Sequence, residues 1–226
     1  RSSAVKAQTV AMNQLKPQET EDRGPETQSD MGITLVAKVG GGLLAHLEHL
    51  DSTLAEIVTA AQEVPLLVVP GGGPFAEAIR DVDRRLGLSD DAAHWMAVLA
   101  MDQYAHLLAS RMPNGKLVWG SDDIATAMED GKIPVLAPYQ WMREADPLPH
   151  SWDVTSDSIS AWVADQVGAE RLVLVKPPGA SGPAIVDPCF DRIRAPRINV
   201  EIVTADRIDD LRVALRSGPL SRRRPS

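Results

Sequence analysis

Apolar residues along this chain gather in short runs separated by polar turns, and the runs are of two kinds. Ile33-Thr34-Leu35-Val36-Ala37-Lys38-Val39 is a short β-branched run, and Val64-Pro65-Leu66-Leu67-Val68-Val69 is continuously apolar, as expected of a parallel strand covered on both faces. Lys116 to Trp119, Lys132 to Ala137, Glu170 to Lys176 and Ile198 to Val203 predict four more strands. Between them, helical spacing is found over Leu43 to Ala61, Phe75 to Leu86, Ala92 to Ser110, Asp122 to Glu129, from Ile159 onward, and over Ala205 to Leu215. The punctuation agrees. Pro74 suits a first helical turn, Gly87 closes a helix, and Ser89-Asp90, Ser121 and Thr204 stand where caps are needed. Strands alternating with helices predict an α/β fold, a three-layer αβα sandwich around a mainly parallel sheet, with ligands at the carboxyl ends of the strands.

Residues 1–31 are polar, with Pro17 and Pro25 and no sustained period, and read as a disordered extension. Residues 32–216 form the predicted domain, and 217–226, with Arg222-Arg223-Arg224, a solvated basic tail. Net charge is −8, which argues against a general nucleic-acid binder: phosphate, if handled at all, must be handled by local groups. No run approaches the roughly 18 apolar residues of a membrane span. The single cysteine, Cys189, cannot form an internal disulfide, and no signal core precedes Met31, so a cytoplasmic setting is expected.

Two features carry candidate chemistry. The first two strands each end in three glycines, Gly40-Gly41-Gly42 and Gly71-Gly72-Gly73, ahead of a helix. Such loops let backbone N–H groups approach an anion, although a tight strand-to-helix turn asks for the same residues. Both loops fit G-x-G-x-x-A, yet the acidic residue of a dinucleotide site is missing after the second strand, and no Walker lysine follows either loop. Lys38, inside an apolar strand two residues before a glycine loop, is expensive to bury unless it has an anionic partner, phosphate being a natural one, or snorkels out of the strand end. The second feature is His150-Ser151-Trp152-Asp153-Val154-Thr155-Ser156-Asp157-Ser158, which places hydroxyls and carboxylates at the start of a buried helix, where N–H groups lack partners. His150 is the histidine best placed to touch a substrate. His46 and His49 read as solvent-exposed, and His94 and His106 as structural; no metal-ligand set is predicted.

The segments Ala37-Lys38-Val39-Gly40-Gly41-Gly42 and Val69-Pro70-Gly71-Gly72-Gly73 resemble the amino acid kinase superfamily over residues 33 to about 215. Within it, Gly71 to Ala76 and His150 to Ser158 are most similar to the small kinases of methanofuran biosynthesis, which convert aminomethylfuranyl-methyl phosphate to its diphosphate. The resemblance implies an ATP-dependent kinase in which Lys38 and Gly40, Gly41 and Gly42 hold the ATP phosphates, while Gly71, Gly72 and Gly73 face the acceptor phosphate. Asp157 would organise Lys38 and the transferring group, and Thr155 and Ser156 would bind substrate. His150 to Asp153 would set acceptor specificity, with Asp153 able to pair with the acceptor's amine, and Mg²⁺ would be held largely by phosphates. A homo-oligomer is also implied. Where the superfamily has Thr-Asp-x-Asp-Gly after the fifth strand, this chain has Lys176-Pro177-Pro178-Gly179-Ala180, with Lys176 as the remaining phosphate contact. The alternative is a non-catalytic member that binds a nucleotide or a partner subunit.

Overall fold

The computed structural model describes residues 31–217. Residues 1–30 and 218–226, on which the expected extension and tail fall, lie outside the described residues. Six strands form one sheet: β1 (Leu35–Val39), β2 (Leu66–Pro70), β3 (Gly115–Val118), β4 (Ile133–Leu136), β5 (Arg171–Lys176) and β6 (Asn199–Thr204). Their order is β3-β4-β2-β1-β5-β6, and every neighbouring pair is parallel. The α/β prediction therefore holds, and the sheet is wholly rather than mainly parallel. No helix among the described residues is long and apolar enough to cross a membrane.

Strand periodicity assigns the two faces of the sheet. Leu35, Ala37 and Val39 of β1, with Val173 and Val175 of β5, point to one face. They pack there with α1 (Leu47–Ala60) and α8 (Ile208–Arg216), through residues such as Leu50, Ile57, Leu211 and Leu215. Val36, Leu172 and Leu174 point to the other face, onto Ile159, Ala161 and Val163 of α6 (Ser156–Gln166). The same alternation puts Lys38 on the α6 face beside Val36, and Lys176 there beside Leu174. Because Lys38 pairs in register with Leu174, the two lysines emerge from adjacent strands at the carboxyl edge, one step of the alternation apart.

The 22-residue α3 (Asp90–Arg111) has no single apolar stripe, because it serves both cores. Trp95, Val98 and Met101 join the α6 side, while Tyr104, Ala105 and Leu108 join the α1 side. Leu99 of the same helix is exposed. Ser89 accepts from Ala92 N at 3.2 Å, as a cap should. The helix α2 (Gly73–Leu86) ends at Gly87 in the left-handed region, φ 64, and buries none of its own residues.

Several boundaries differ from the sequence reading. The expected helix over 43–61 breaks at His46, where φ −136 and ψ 67 end a 3₁₀ turn (Gly41–Ala45) before α1 begins. Ser121 is the first residue of α4 (Ser121–Glu129) rather than its cap; Asp123 instead reaches back to Trp119 N at 3.0 Å. Thr204 ends β6, and α8 starts only after Arg207. The short helices α5 (Tyr139–Ala145) and α7 (Phe190–Ile193) were not expected; at seven and four residues they are too short to set up a readable apolar period.

The glycine loops are interlocked. A Cβ on Gly41 would overlap the Gly73 backbone, one on Gly71 would lie 2.5 Å from Gly41 N, and one on Gly40 would lie 2.6 Å from Val175 O. Gly41→Ala is therefore expected to cost about 1–3 kcal/mol or more by overpacking. At Gly87, where nothing lies within 4 Å of an added Cβ, Ala is expected to cost only the left-handed backbone strain of about 1–2 kcal/mol. Urea unfolding midpoints of the two variants check this difference in order and size.

Candidate active site

Three charged side chains meet on the α6 face at the carboxyl edge of the sheet. Lys38 Nζ donates to Asp157 Oδ1 at 2.8 Å and Lys176 Nζ donates to Asp157 Oδ2 at 2.6 Å. All three are buried: Lys38 is 4 % exposed, Asp157 4 % and Lys176 7 %. One carboxylate thus bridges two ammonium groups, leaving the trio with one net positive charge. Burial alone would raise the Asp157 pKa, but the charges of Lys38 and Lys176 and their hydrogen bonds outweigh it and hold the carboxyl below its usual range. Lys176 is lowered from its ordinary value, first by burial and then by the like charge of Lys38, with Asp157 opposing.

Local structure explains how Asp157 comes to be there. It is the second residue of α6, whose cap is Thr155 in extended conformation; Thr155 Oγ1 accepts from Asp157 N at 3.3 Å. A carboxylate in the first helical turn faces the partial positive charge of the helix N-terminus. The turn is also held from outside. Asp187 Oδ2 accepts from Thr155 N at 3.0 Å, Thr155 Oγ1 at 2.8 Å and Ser158 N at 3.0 Å, and Oδ1 accepts from Ser158 Oγ at 2.6 Å. Sequence reasoning missed Asp187. A trace of it existed: Thr155-x-x-Ser158 lacks the Glu or Gln of a capping box, so an acceptor had to come from elsewhere, but nothing in the sequence pointed 29 residues onward.

Next to the turn that carries Asp157 lies a cavity of about 580 Å³, lined by Thr155 and Ser156 but by none of the three charged residues themselves. Gly41, Gly42, Gly72 and Gly73 form one wall, Ala97, Val98 and Met101 of α3 another, and Trp152, Val154, Thr155, Ser156 and Ile159 a third. Arg80 is the only cation among the lining residues; Glu77 and Asp81 are the carboxylates. Trp152 is fixed by Nε1 donating to Asp83 Oδ2 at 2.7 Å, and the Arg80 guanidinium lies 4.7 Å from the centre of its ring. Arg80 and Trp152 received no separate role from the sequence, because their meeting depends on contact between α2 and the turn before α6.

The structure therefore brings Lys38, Asp157 and Lys176 together and lines the adjoining cavity with Gly41, Gly42, Gly72, Gly73, Thr155 and Ser156. Gly40 and Gly71 sit behind it, their N–H groups donating to Val175 O at 2.9 Å and Val39 O at 2.8 Å. Each of the six glycines has a steric reason to be glycine, so tight packing and anion access are both served by the same loops. Gly72 and Gly73 open α2, where the first N–H groups have no partner within the helix.

His150 and Asp153 do not line the cavity. His150 contacts Asp146 through Nε2 at 2.8 Å and Asp91 through Nδ1 at 3.1 Å, and stacks on His94 at 4.3 Å. His94 is buried, and burial, then the neighbouring His150, lowers its pKa to about 4. Asp153 is exposed. Among the described residues no three His, Cys, Asp or Glu side chains group as a metal site. Both Asp157 oxygens are already engaged by lysines, so the donor set suits phosphate oxygens rather than a resident cation.

The model of the amino acid kinase family matches residues 34–177. The [5-(aminomethyl)furan-3-yl]methyl phosphate kinase of Methanocaldococcus jannaschii is 27% identical over 139 residues, which cover 62% of this chain and 63% of that protein. The chain thus spans less than two thirds of the length of the curated relative it matches. The uridylate kinase of Archaeoglobus fulgidus superposes with a TM-score of 0.60 at 16% identity, over 83% of this chain and 97% of that one. The UMP kinase of Ureaplasma parvum gives 0.61 at 14% identity, over 78% and 91%. At these identities the solved structures show a shared fold.

Asp157→Ala would leave two buried ammonium groups facing each other, and a loss of about 3–5 kcal/mol is expected. The pH sign follows from the depressed carboxyl: its stabilisation is fully present above the ordinary aspartate pKa of about 3.9 and is lost as pH falls through the lower folded-state value. Denaturant titrations from neutral to acid pH should show that acid loss in the native protein, and a shallower one in Asp157→Asn.

Proposed function

The chain belongs to the amino acid kinase family, and from that premise we propose that it is an ATP-dependent kinase acting on a small phosphomonoester. The observation that carries this reading is the buried Lys38–Asp157–Lys176 trio with its surplus positive charge beside a glycine-walled cavity. No nucleophilic side chain is required. An oxygen of the acceptor's phosphate attacks the γ-phosphorus of ATP, the bond to the bridging oxygen breaks, and ADP leaves. What the protein must supply is alignment and positive charge around the equatorial oxygens. Lys38 and Lys176 are suited to hold those oxygens, and Asp157 to keep the two ammonium groups oriented without neutralising both. Mg²⁺, when bound to the nucleotide phosphates, supplies further charge neutralisation.

The acceptor we propose is [5-(aminomethyl)furan-3-yl]methyl phosphate, converted to its diphosphate, as the matched relative's name suggests. The cavity supports this class of acceptor. Trp152 offers a fixed flat face to a small ring, the α3 wall is apolar, and Glu77 and Asp81 put carboxylates on the wall for an amine. In this proposal Glu77 and Asp81, which line the cavity where Asp153 does not, would meet the aminomethyl group. A second reading, a nucleotide-binding member without turnover, is favoured by the Pro177-Pro178 segment that follows Lys176; tight ATP binding by calorimetry with no acceptor phosphorylated would establish it.

Incubation with ATP, Mg²⁺ and phosphorylated acceptors, followed by phosphorus NMR, should show a new diphosphate. Lys38→Ala should lower kcat by about 10²–10³, the scale of removing one charge-stabilising contact. No diphosphate from any acceptor, or a Lys38→Ala enzyme with unchanged turnover, would sink the proposal. Because the lowered Lys176 pKa means its proton is lost early as pH rises, kcat/KM should fall on an alkaline limb below the ordinary lysine value of about 10.4. That limb should vanish in Lys176→Arg.

A further inference from the structure

The segment that follows β5 leaves the sheet at Lys176 and comes back against α6 at Asp187, so that both of these residues close on the same turn of α6. At the outgoing end, Lys176 binds Asp157 and Pro177 packs on Gly42, where a Cβ would lie 2.6 Å from the proline ring. At the returning end, Asp187, 8 % exposed, accepts the four hydrogen bonds from Thr155 and Ser158 and a fifth from Cys189 N at 3.1 Å. Five donors converging on one buried carboxylate far exceed what a surface loop needs for anchorage.

We infer that Asp187 is a positioning residue for the proposed phosphoryl transfer, clamping the first turn of α6 so that Asp157 stays between Lys38 and Lys176. The inference rests on the kinase reading for its catalytic consequence, but the clamp itself stands on geometry alone. Asp187 fills the role of a cap acceptor for Ser158 N, at the third helical position, which Thr155 cannot serve while its own hydroxyl faces Asp157 N and Asp187. With the clamp in place, Asp157 N is held by Thr155 while the Asp157 carboxylate accepts from the two lysines.

The clamp has an electrostatic consequence as well. The charged groups that act on Lys176 are Lys38 from β1, Asp157 from α6 and Asp187 from the returning segment; Asp187 supports the protonated form. Of the two buried aspartates, Asp157 touches both lysines, while Asp187 acts on Lys176 without a direct contact and as the weakest of these influences. An anion that approaches Lys38 and Lys176 therefore meets two ammonium groups that share a single directly paired carboxylate. Asp187 lies beyond residue 177, where the family match ends, so this part of the site rests on the chain's own geometry.

Asp187→Asn tests it, since the amide leaves no acceptor on one side and removes the charge. Lysine Nζ titration by NMR, assigned with a Lys176→Arg control, should place the Lys176 pKa of Asp187→Asn lower than in the native protein. Amide exchange of Thr155 to Ser158 should accelerate, by about tenfold or more. If phosphoryl transfer is observed, kcat should fall by about tenfold or more with the KM values for nucleotide and acceptor within about twofold, and the alkaline limb should move to lower pH. Asp187→Glu, which keeps the charge with displaced oxygens, should restore the Lys176 titration but not full turnover, and it serves if the Asn variant does not fold. A native-like Lys176 titration and native-like exchange in the Asn variant, with only the melting temperature lowered, would overturn the inference. If the native protein phosphorylates no acceptor, the titration and the exchange still decide the clamp, and the failure then belongs to the kinase reading.

Discussion

Two ammonium groups sharing one buried carboxylate is the interaction on which the rest of this molecule depends. Lys38 and Lys176 would repel each other across adjacent strands if Asp157 were absent, and Asp157 would be a costly buried anion without them. The arrangement needs β1 and β5 side by side, the alternation that turns both lysines to one face, and a helix that begins at the carboxyl edge of the sheet. It also needs the glycine loops, because the backbone of Gly40 passes close to Val175 and that of Gly41 closer still to Gly73. The fold is in this sense the means by which three charges are brought within hydrogen-bond distance while leaving one positive charge uncompensated.

Much of this was legible in the sequence, for reasons that can be named. Lys38 stood out because an ammonium group inside an apolar strand demands a partner. The glycine loops stood out because three successive glycines at a strand end are seldom needed unless backbones approach closely. Asp157 was readable as a first-turn carboxylate, and Lys176 as a strand-end lysine. Their convergence was less accessible, since Lys38 and Asp157 are separated by 119 positions, and only the strand order joins them. Asp187 and Arg80 escaped notice, as did the contacts of Trp152 with Asp83 and Arg80, because each joins distant segments and leaves no periodic trace. The two-sided burial of α3 escaped for a related reason: a helix that touches two cores loses the apolar stripe by which a helix is oriented.

The stretch from His150 to Ser158 divides in the structure into parts with different jobs. Its beginning is structural, with His150 held by Asp91 and Asp146 against His94. Its middle contributes Trp152 to the cavity wall, and its end carries the cap and Asp157. The polar density that drew attention to the stretch thus reflects two hydrogen-bonded clusters of separate purpose. Of the stretch His150 to Asp153 that was expected to set acceptor specificity, Trp152 lines the cavity while His150 and Asp153 do not, and the cavity's charged groups come from α2.

The central claim is that Lys38 and Lys176 together hold the oxygens of the transferring phosphoryl group, with Asp157 between them. A crystal structure with a non-hydrolysable ATP analogue and Mg²⁺ tests it most directly. The account predicts terminal-phosphate oxygens within hydrogen-bond distance of both lysine Nζ atoms, with at least one Asp157 contact retained. Phosphates bound elsewhere, with the trio closed on itself and touching no ligand, would contradict it.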